Sequence, residues 1–229
     1  MSGFRADDAE RKKGSGRFFR ADALILAGGK NCRMEGRYKG DLKLCGETFM
    51  DRLIREMRKV SEKIYISYGE SFRGEKAGCI VVRDIHPGLG PVSGLEAGLS
   101  ACETPYLLTA ACDMPYLEAG FYRMLIEGGE KRRLERGKYP DCIVPVLSGR
   151  PDVLAAVYGK RALPVFREMI RAGIYRPRAA FGELDTLYVP LEPDSPYARM
   201  LQNINTPAEY RAALEEHGGA QAHLDSDED

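Results

Sequence analysis

Hydrophobic and polar positions along this chain follow two alternating rhythms. Near-continuous apolar runs of strand length occur at ADALILA (21–27), KIYISY (63–68), CIVVRD (79–84), PYLLTAACD (105–113), DCIVPV (141–146), VLAAVY (153–158) and LDTLYV (184–189). Such runs suit strands covered on both faces. Between them, apolar residues recur at helical spacing. TFMDRLIREMRKV (48–60) puts Phe49, Leu53, Ile54, Met57 and Val60 on one stripe. Pro91 opens VSGLEAGLSA, a Gly/Ala-rich helix whose small residues permit close packing on a sheet, and proline suits a first helical turn. Further helices are predicted over LEAGFYRMLIEGG (117–129), closed by its glycines, and over 162–173 and 206–218. No internal repeat is present. The alternation predicts an α/β fold, a three-layer α/β/α arrangement around a mostly parallel, Rossmann-like sheet. In such sheets ligands bind beyond the C-terminal ends of strands. Functional residues are therefore expected just after 21–27, 79–84 and 105–113.

The periodic part runs from 21 to 217 and is read as one domain. Residues 1–20 mix charges around a GSG and have no apolar period, so a flexible arm is expected, with RFFR (17–20) as linker. The segment 218–229, GGAQAHLDSDED, reads as a disordered acidic tail. The N-terminus lacks the apolar core of a secretory signal, and no apolar run approaches the roughly 20 residues of a membrane span. Lys plus Arg (34) balances Asp plus Glu (34), so no global field recruits nucleic acid or a membrane, and any anion site must be local. The six cysteines form no CxxC pair and only three histidines exist, so zinc spacing is absent and reduced thiols are expected. A cytoplasmic enzyme is the expectation.

Each of the three strand ends carries candidate chemistry. The first reads LAGGKNCRMEGRYKG (26–40). Gly28 and Gly29 carry no Cβ and let the backbone approach a ligand; successive N–H groups in such a turn form an anion-binding nest. Lys30, Arg33, Arg37 and Lys39 add positive charge, so phosphate binding is expected. The run is neither a Walker A loop nor a GxGxxG fingerprint. At the second end, Asp84 leads into IHPGLGPVSGLEAG, a tight loop feeding a helix N-terminus, which favours anions. The third end is TAACDMPYL. Aspartate at the tip of a buried strand is costly unless solvated, paired or bound to metal, which makes Asp113 the best metal-ligand candidate, and Mg²⁺ suits carboxylate, water and phosphate oxygens.

With these residues in place, the chain resembles the molybdenum cofactor guanylyltransferase family within the nucleoside-triphosphate transferases. Four segments match in order: LAGGKNCRMEGRYKG (26–40), RD…GLGPVSGLEAGL (83–99), ACDMPYL (111–117) and NINTPAEY (203–210). The resemblance spans roughly residues 21 to 217 and implies a nucleotidyltransferase fold. It also implies that Leu26, Ala27, Gly28 and Gly29 contact base and phosphates, and that Lys39 steadies the triphosphate. Asp84 then lies near guanine and ribose, Asp113 holds Mg²⁺, and Asn203 and Asn205 line the far side. Arg33, Lys39 and Asp113 are the expected catalytic groups. Guanylyl-transferring relatives usually read LAGG and cytidylyl-transferring ones LAAG, so Gly29 favours GTP. The chain departs from the family pattern at Glu35, Tyr38, Ser67 and Arg150.

The implied reaction is attack by the terminal phosphate of molybdopterin on the α-phosphorus of GTP, expelling pyrophosphate. The attacking phosphate is already anionic, so the reaction calls for positioning and charge neutralisation rather than a strong base. Implied partners are GTP and molybdopterin, with molybdoenzymes or cofactor-delivery proteins downstream. Alternatives stay open: CTP as donor, a sugar-phosphate or cobinamide-phosphate acceptor, or a nucleotide-binding regulatory protein of weak activity. A dinucleotide-dependent reductase lacks its glycine fingerprint, and a serine hydrolase lacks its GxSxG elbow.

Overall fold

In the computed structural model, residues 19–28, 38–70 and 72–224 are described, with side chains as far as His217. The apolar run after Arg20 forms β1 (Ala21–Leu26), every residue of which is buried. Its alternate side chains face opposite ways. Ala23 and Ile25 join a core with Met50, Leu53, Phe121 and Leu125, whereas Leu24 and Leu26 join a second with Val92, Leu95, Phe166 and Met169. Two cores on two faces explain why the strand reads apolar throughout.

Around β1 the sheet contains β4 (Ile64–Ser67), β5 (Ile80–Val82), β6 (Tyr106–Ala111), β7 (Cys142–Leu147), β8 (Arg150–Pro151), β9 (Val157–Gly159) and β10 (Thr186–Leu191). The order is β10-β7-β9-β6-β1-β4-β5, with β8 pairing β7. The β4, β1, β6 and β5 pairings and β7 with β10 are parallel; β9 runs antiparallel between β6 and β7. The helices α1 (Phe49–Met57) and α3 (Ala119–Arg136) cover one face, and α2 (Pro91–Ala101) and α4 (Ala162–Arg171) the other. Two more helices follow, α5 (Pro196–Met200) and α6 (Pro207–Leu224). The three-layer, mostly parallel α/β fold expected from the sequence is the observed one. A small hairpin, β2 (Lys43–Leu44) with β3 (Glu47–Thr48), was not anticipated. Its turn residues Cys45 and Gly46 both have positive φ (52° and 78°), the hallmark of a two-residue hairpin turn.

Several boundaries differ from the sequence reading for identifiable reasons. The glycine pair at 128–129 does not end α3. A Cβ on Gly129 would stand 2.6 Å from Ile143 Cδ1, so that glycine lets the helix lie close on β7. The helix stops instead at Gly137, in the left-handed conformation (φ 77°), whose N–H bonds Arg133 O. Residues 153–156 are not strand, because the Asp152 carboxylate accepts the Leu154 and Ala155 N–H groups and turns the chain. The last helix continues past Gly218 to Leu224. The expected linker is also corrected at its end: Phe19 stacks on Tyr106 at 4.6 Å, and Arg20 makes a two-pronged pair with Glu62. Residues 1–18 and 225–229 lie outside the described residues.

The layer of α2 tests how tightly the sheet is covered. A Cβ at Gly98 would meet Leu24 Cδ2 at 2.5 Å and Leu107 Cδ2 at 3.1 Å. Gly98→Ala is therefore expected to destabilise the fold by about 1–3 kcal/mol through overpacking, against the usual helix-propensity gain. Chemical denaturation checks this, and a rise in midpoint would show that the layers have slack.

Candidate nucleotide-transfer site

The C-terminal ends of β1, β4, β5 and β6 lie side by side, because these strands are parallel neighbours. β6 delivers Asp113. After Ala111 the chain turns, with Met114 N–H bonding Ala111 O, and Cys112 N–H still bonds Leu26 O on β1. Asp113 is thereby held at the strand tip, its side chain 17% exposed.

Two other segments converge on it. Lys39 sits in a short 3-10 turn (Lys39–Asp41) just before the hairpin. Its Nζ donates to Asp113 Oδ2 at 2.8 Å and to Asn205 Oδ1 at 2.7 Å. The turn requires Gly40, since a Cβ there would strike the buried Tyr38 ring at 2.5 Å. Asn205 comes from the segment before α6. Ile204 is buried beside Leu42, Leu44 and Tyr116, and its N–H bonds Asp113 O at 2.9 Å. This anchor places Asn203 and Asn205 on either side of it. Thr206 and Glu209 then form a capping box. Thr206 Oγ1 accepts from Glu209 N–H, and Glu209 Oε2 accepts from the Asn205 and Thr206 N–H groups. Those backbone donors hold the Glu209 carboxyl below its usual range. The box was written in the sequence as TPAE, and it is the signal that ties Asn205 in place.

On the other side of β1, the backbone of Gly28 approaches that of Gly69 so closely that a Cβ would lie 3.1 Å from Gly69 N. Beyond it, Ser67 Oγ donates to Asp84 Oδ1 at 2.6 Å. Ser67, one of the family departures, thus orients the carboxylate at the neighbouring strand end. Burial raises the Asp84 carboxyl, the Ser67 hydrogen bond lowers it, and the Glu96 charge raises it, with a net upward shift.

Of the expected site residues, Lys39, Asp113 and Asn205 meet directly. Asn203 adjoins them through Ile204. Leu26, Ala27 and Gly28 form the end of β1, where Ala27 N–H bonds Ser67 O, and Asp84 flanks β4. Gly29 and Arg33, with Lys30, Glu35 and Arg37, lie outside the described residues. Burial, then the adjacent Asp113 charge, pushes the Cys112 thiol up to about 12, which removes it as a nucleophile. His86 lies in the loop after Asp84, 3.8 Å from Glu96, and meets none of these groups.

The donor set can be tested for a metal. Asp113 Oδ1 and Asn203 Oδ1 are buried acceptors with no hydrogen-bond partner. Such oxygens are costly when empty-handed. Hard oxygen donors of this kind fit Mg²⁺, which takes one or two carboxylates and fills its sphere with water and substrate phosphate. Among the described residues there is no cluster of three or more His, Cys, Asp or Glu side chains able to hold a metal ion unaided.

Comparison with known proteins places these features. The family model described as MobA-like NTP transferase domain matches residues 23–187. A probable molybdenum cofactor guanylyltransferase of Clostridium perfringens is 35% identical over 138 residues, covering 60% of this chain and 65% of the relative. The match thus spans just under two thirds of that relative's length. One of a Geobacillus species is 27% identical over 192 residues, covering 82% and 94% of the two chains. Among solved structures, molybdopterin-guanine dinucleotide biosynthesis protein A of Archaeoglobus fulgidus superposes with a TM-score of 0.69 at 23% identity, covering 86% of this chain and 99% of the other. That likeness carries the fold.

Proposed function

The chain belongs to the MobA-like NTP transferase family, and on that footing we propose that it is a nucleotidyltransferase moving GMP from GTP to the terminal phosphate of molybdopterin, with release of pyrophosphate. The observation that carries the reading is the cluster of Lys39, Asp113 and Asn205 at the β6 strand end, with one Asp113 oxygen left free.

Lys39 supplies a point charge for triphosphate oxygens, and Asn205 aims it. Asp113 Oδ1 and Asn203 Oδ1 are the oxygens that would hold Mg²⁺. A cation held there would supply positive charge to offset that of the phosphates. Gly28 lets the end of β1 lie against the backbone of Gly69, which a Cβ would approach to 3.1 Å. Asp84, oriented by Ser67, offers a carboxylate acceptor for N–H or O–H groups of the guanosine. No residue is asked to take a proton from the nucleophile, because the acceptor phosphate is already an anion. Choice of GTP over CTP rests on the LAGG sequence.

The test is thermal stabilisation by GTP, CTP and ATP with and without Mg²⁺, followed by pyrophosphate release with GTP and molybdopterin. GTP at about 100 times its Kd should add about 2.7 kcal/mol, with smaller shifts for the others. Equal shifts for GTP and CTP would overturn the base assignment. GTP binding without pyrophosphate release would overturn the acceptor.

A further inference from the structure

The β7–β8 hairpin brings an arginine to the edge of the sheet that carries Asp113. Ser148 and Gly149 both have positive φ (49° and 72°), as a two-residue hairpin turn requires, and they set Arg150 opposite Leu147. The backbone of β8 is fixed just beyond the arginine. Asp152 N–H bonds Pro145 O at 2.9 Å, and the Asp152 carboxylate accepts the Leu154 and Ala155 N–H groups. Arg178 Nη2 donates to Pro151 O at 2.8 Å. Arg150 itself is exposed, and its guanidinium has no carboxylate or hydrogen-bond partner among the described residues.

Strand register places this side chain. β10 occupies one edge of β7 from Cys142 to Leu147, so β8 lies on the other edge, toward β6. Leu108 and Ile143 are level, since both pair with Val157 of β9. Four residues further along these two parallel strands, Cys112 is level with Leu147 and hence with Arg150. Asp113 follows at once. β8 thus stands in the row next to β6, and neighbouring rows are about 4.8 Å apart. Among the described residues no ladder joins β8 to β6, so the two part at the carboxyl edge, where open α/β sheets take their ligands. Opposite residues of an antiparallel pair share a face. Leu147 packs against the core beneath α1 and α3, which includes Leu201. Arg150 therefore projects on the face where residues 201–205 reach Asp113 through Ile204. In strand order Asp113 stands between Arg150 on one side and the Ser67–Asp84 pair on the other.

We propose that Arg150 binds the phosphate of the acceptor and holds the nucleophile on the side of Asp113 away from the guanosine. The inference rests on the nucleotidyl-transfer reading and adds the residue that receives its second substrate. In that reaction an oxygen of the acceptor phosphate forms a bond to the α-phosphorus of GTP. The bond from that phosphorus to the pyrophosphate oxygen breaks, the electron pair leaves with pyrophosphate, and no proton is transferred. Both reactants are anions, so their approach is opposed by like charge. Lys39 sits with Asp113 and Asn205 on the donor's triphosphate side. A guanidinium offers two parallel N–H donors to two phosphate oxygens and offsets the repulsion. Its place on a clamped hairpin limits the directions from which the nucleophile arrives.

The test is calorimetric titration of molybdopterin into full-length parent, Arg150→Ala and Arg150→Lys proteins, with GTP binding and pyrophosphate release measured on the same three. Arg150→Ala should weaken molybdopterin by about 10–100-fold, the loss of a charge-assisted contact. Arg150→Lys should lose less, because it keeps the charge and gives up the fork. KM for molybdopterin should rise with the dissociation constant while KM for GTP holds. The unfolding midpoint without ligand should stay at the parent value, whereas a structural role would lower it. A rise in KM for GTP instead would place Arg150 on the donor and overturn the proposal. Equal molybdopterin affinity in parent and Arg150→Ala overturns it too, as does absence of binding in the parent. Binding without pyrophosphate release in the parent would overturn the transfer reading alone, because the loss in Arg150→Ala would still be read.

Discussion

Asp113→Asn is expected to leave the fold intact and to cut Mg²⁺-dependent pyrophosphate release by about 10²–10³-fold, the usual cost of deleting one electrostatic contact to a transition state. The geometry decides which end of the amide goes where. Lys39 Nζ lies 2.8 Å from Oδ2 and is a donor, so the amide oxygen takes that place. The N–H₂ then occupies the site of Oδ1, the buried oxygen with no partner. A donor there repels a cation instead of holding it. The loss should fall on kcat and on the Mg²⁺ dependence together. Binding of GTP in the presence of EDTA should persist or tighten, because one negative charge near the phosphates has gone. That split separates a cation ligand from a residue that merely shapes the cleft. An unchanged Mg²⁺ dependence would remove Asp113 from the role.

Much of this was legible in the sequence, and the misses share a physical cause. Strands covered on both faces announce themselves as apolar runs, so β1, β4, β6 and β7 were placed within a residue or two. Asp113 was legible because a charged residue closing such a run contradicts its surroundings. What could not be read was contact across long separations. Asn205 reaches Lys39 because Ile204 is buried under the hairpin and bonds Asp113 O, a link between segments far apart in the chain. The antiparallel β9 is likewise a tertiary event. Its residues read as one strand from 153, but the Asp152 turn consumes the first four. Gly129 misled for the same reason: locally it says stop, and only the nearby Ile143 shows that it is there for contact. The departures at Tyr38 and Ser67 became interpretable once their partners were visible, Gly40 for one and Asp84 for the other.

The second large effect is expected at a residue with no part in the chemistry. Asp22, inside the first apolar run, is fully buried. Its carboxylate accepts three backbone N–H groups: Lys63 on Oδ1 at 3.2 Å, and Glu103 and Thr104 on Oδ2 at 2.8 and 3.2 Å. These donors belong to the chain entering β4 and to the chain between α2 and β6, the strands on either side of β1. One side chain thus ties three parallel strands together at their N-terminal ends. Asp22→Ala would leave the donors without their acceptor and is expected to destabilise the protein by about 3–5 kcal/mol. Asp22→Asn should recover part of this, since one amide oxygen still accepts while the N–H₂ opposes the remaining donors. Urea denaturation reads the effect as a lower midpoint with an unchanged slope. A midpoint near that of the parent would mean that water satisfies the three donors. The contrast with Asp113 is instructive because both aspartates belong to buried apolar runs of the same parallel sheet. At the N-terminal edge both oxygens of Asp22 are taken by backbone, and the residue is structural. At the C-terminal edge Asp113 keeps one buried oxygen free, and that oxygen is what the chemistry can use. The two variants should therefore separate cleanly, with Asp22→Ala losing stability but retaining turnover below its melting temperature, and Asp113→Asn doing the reverse.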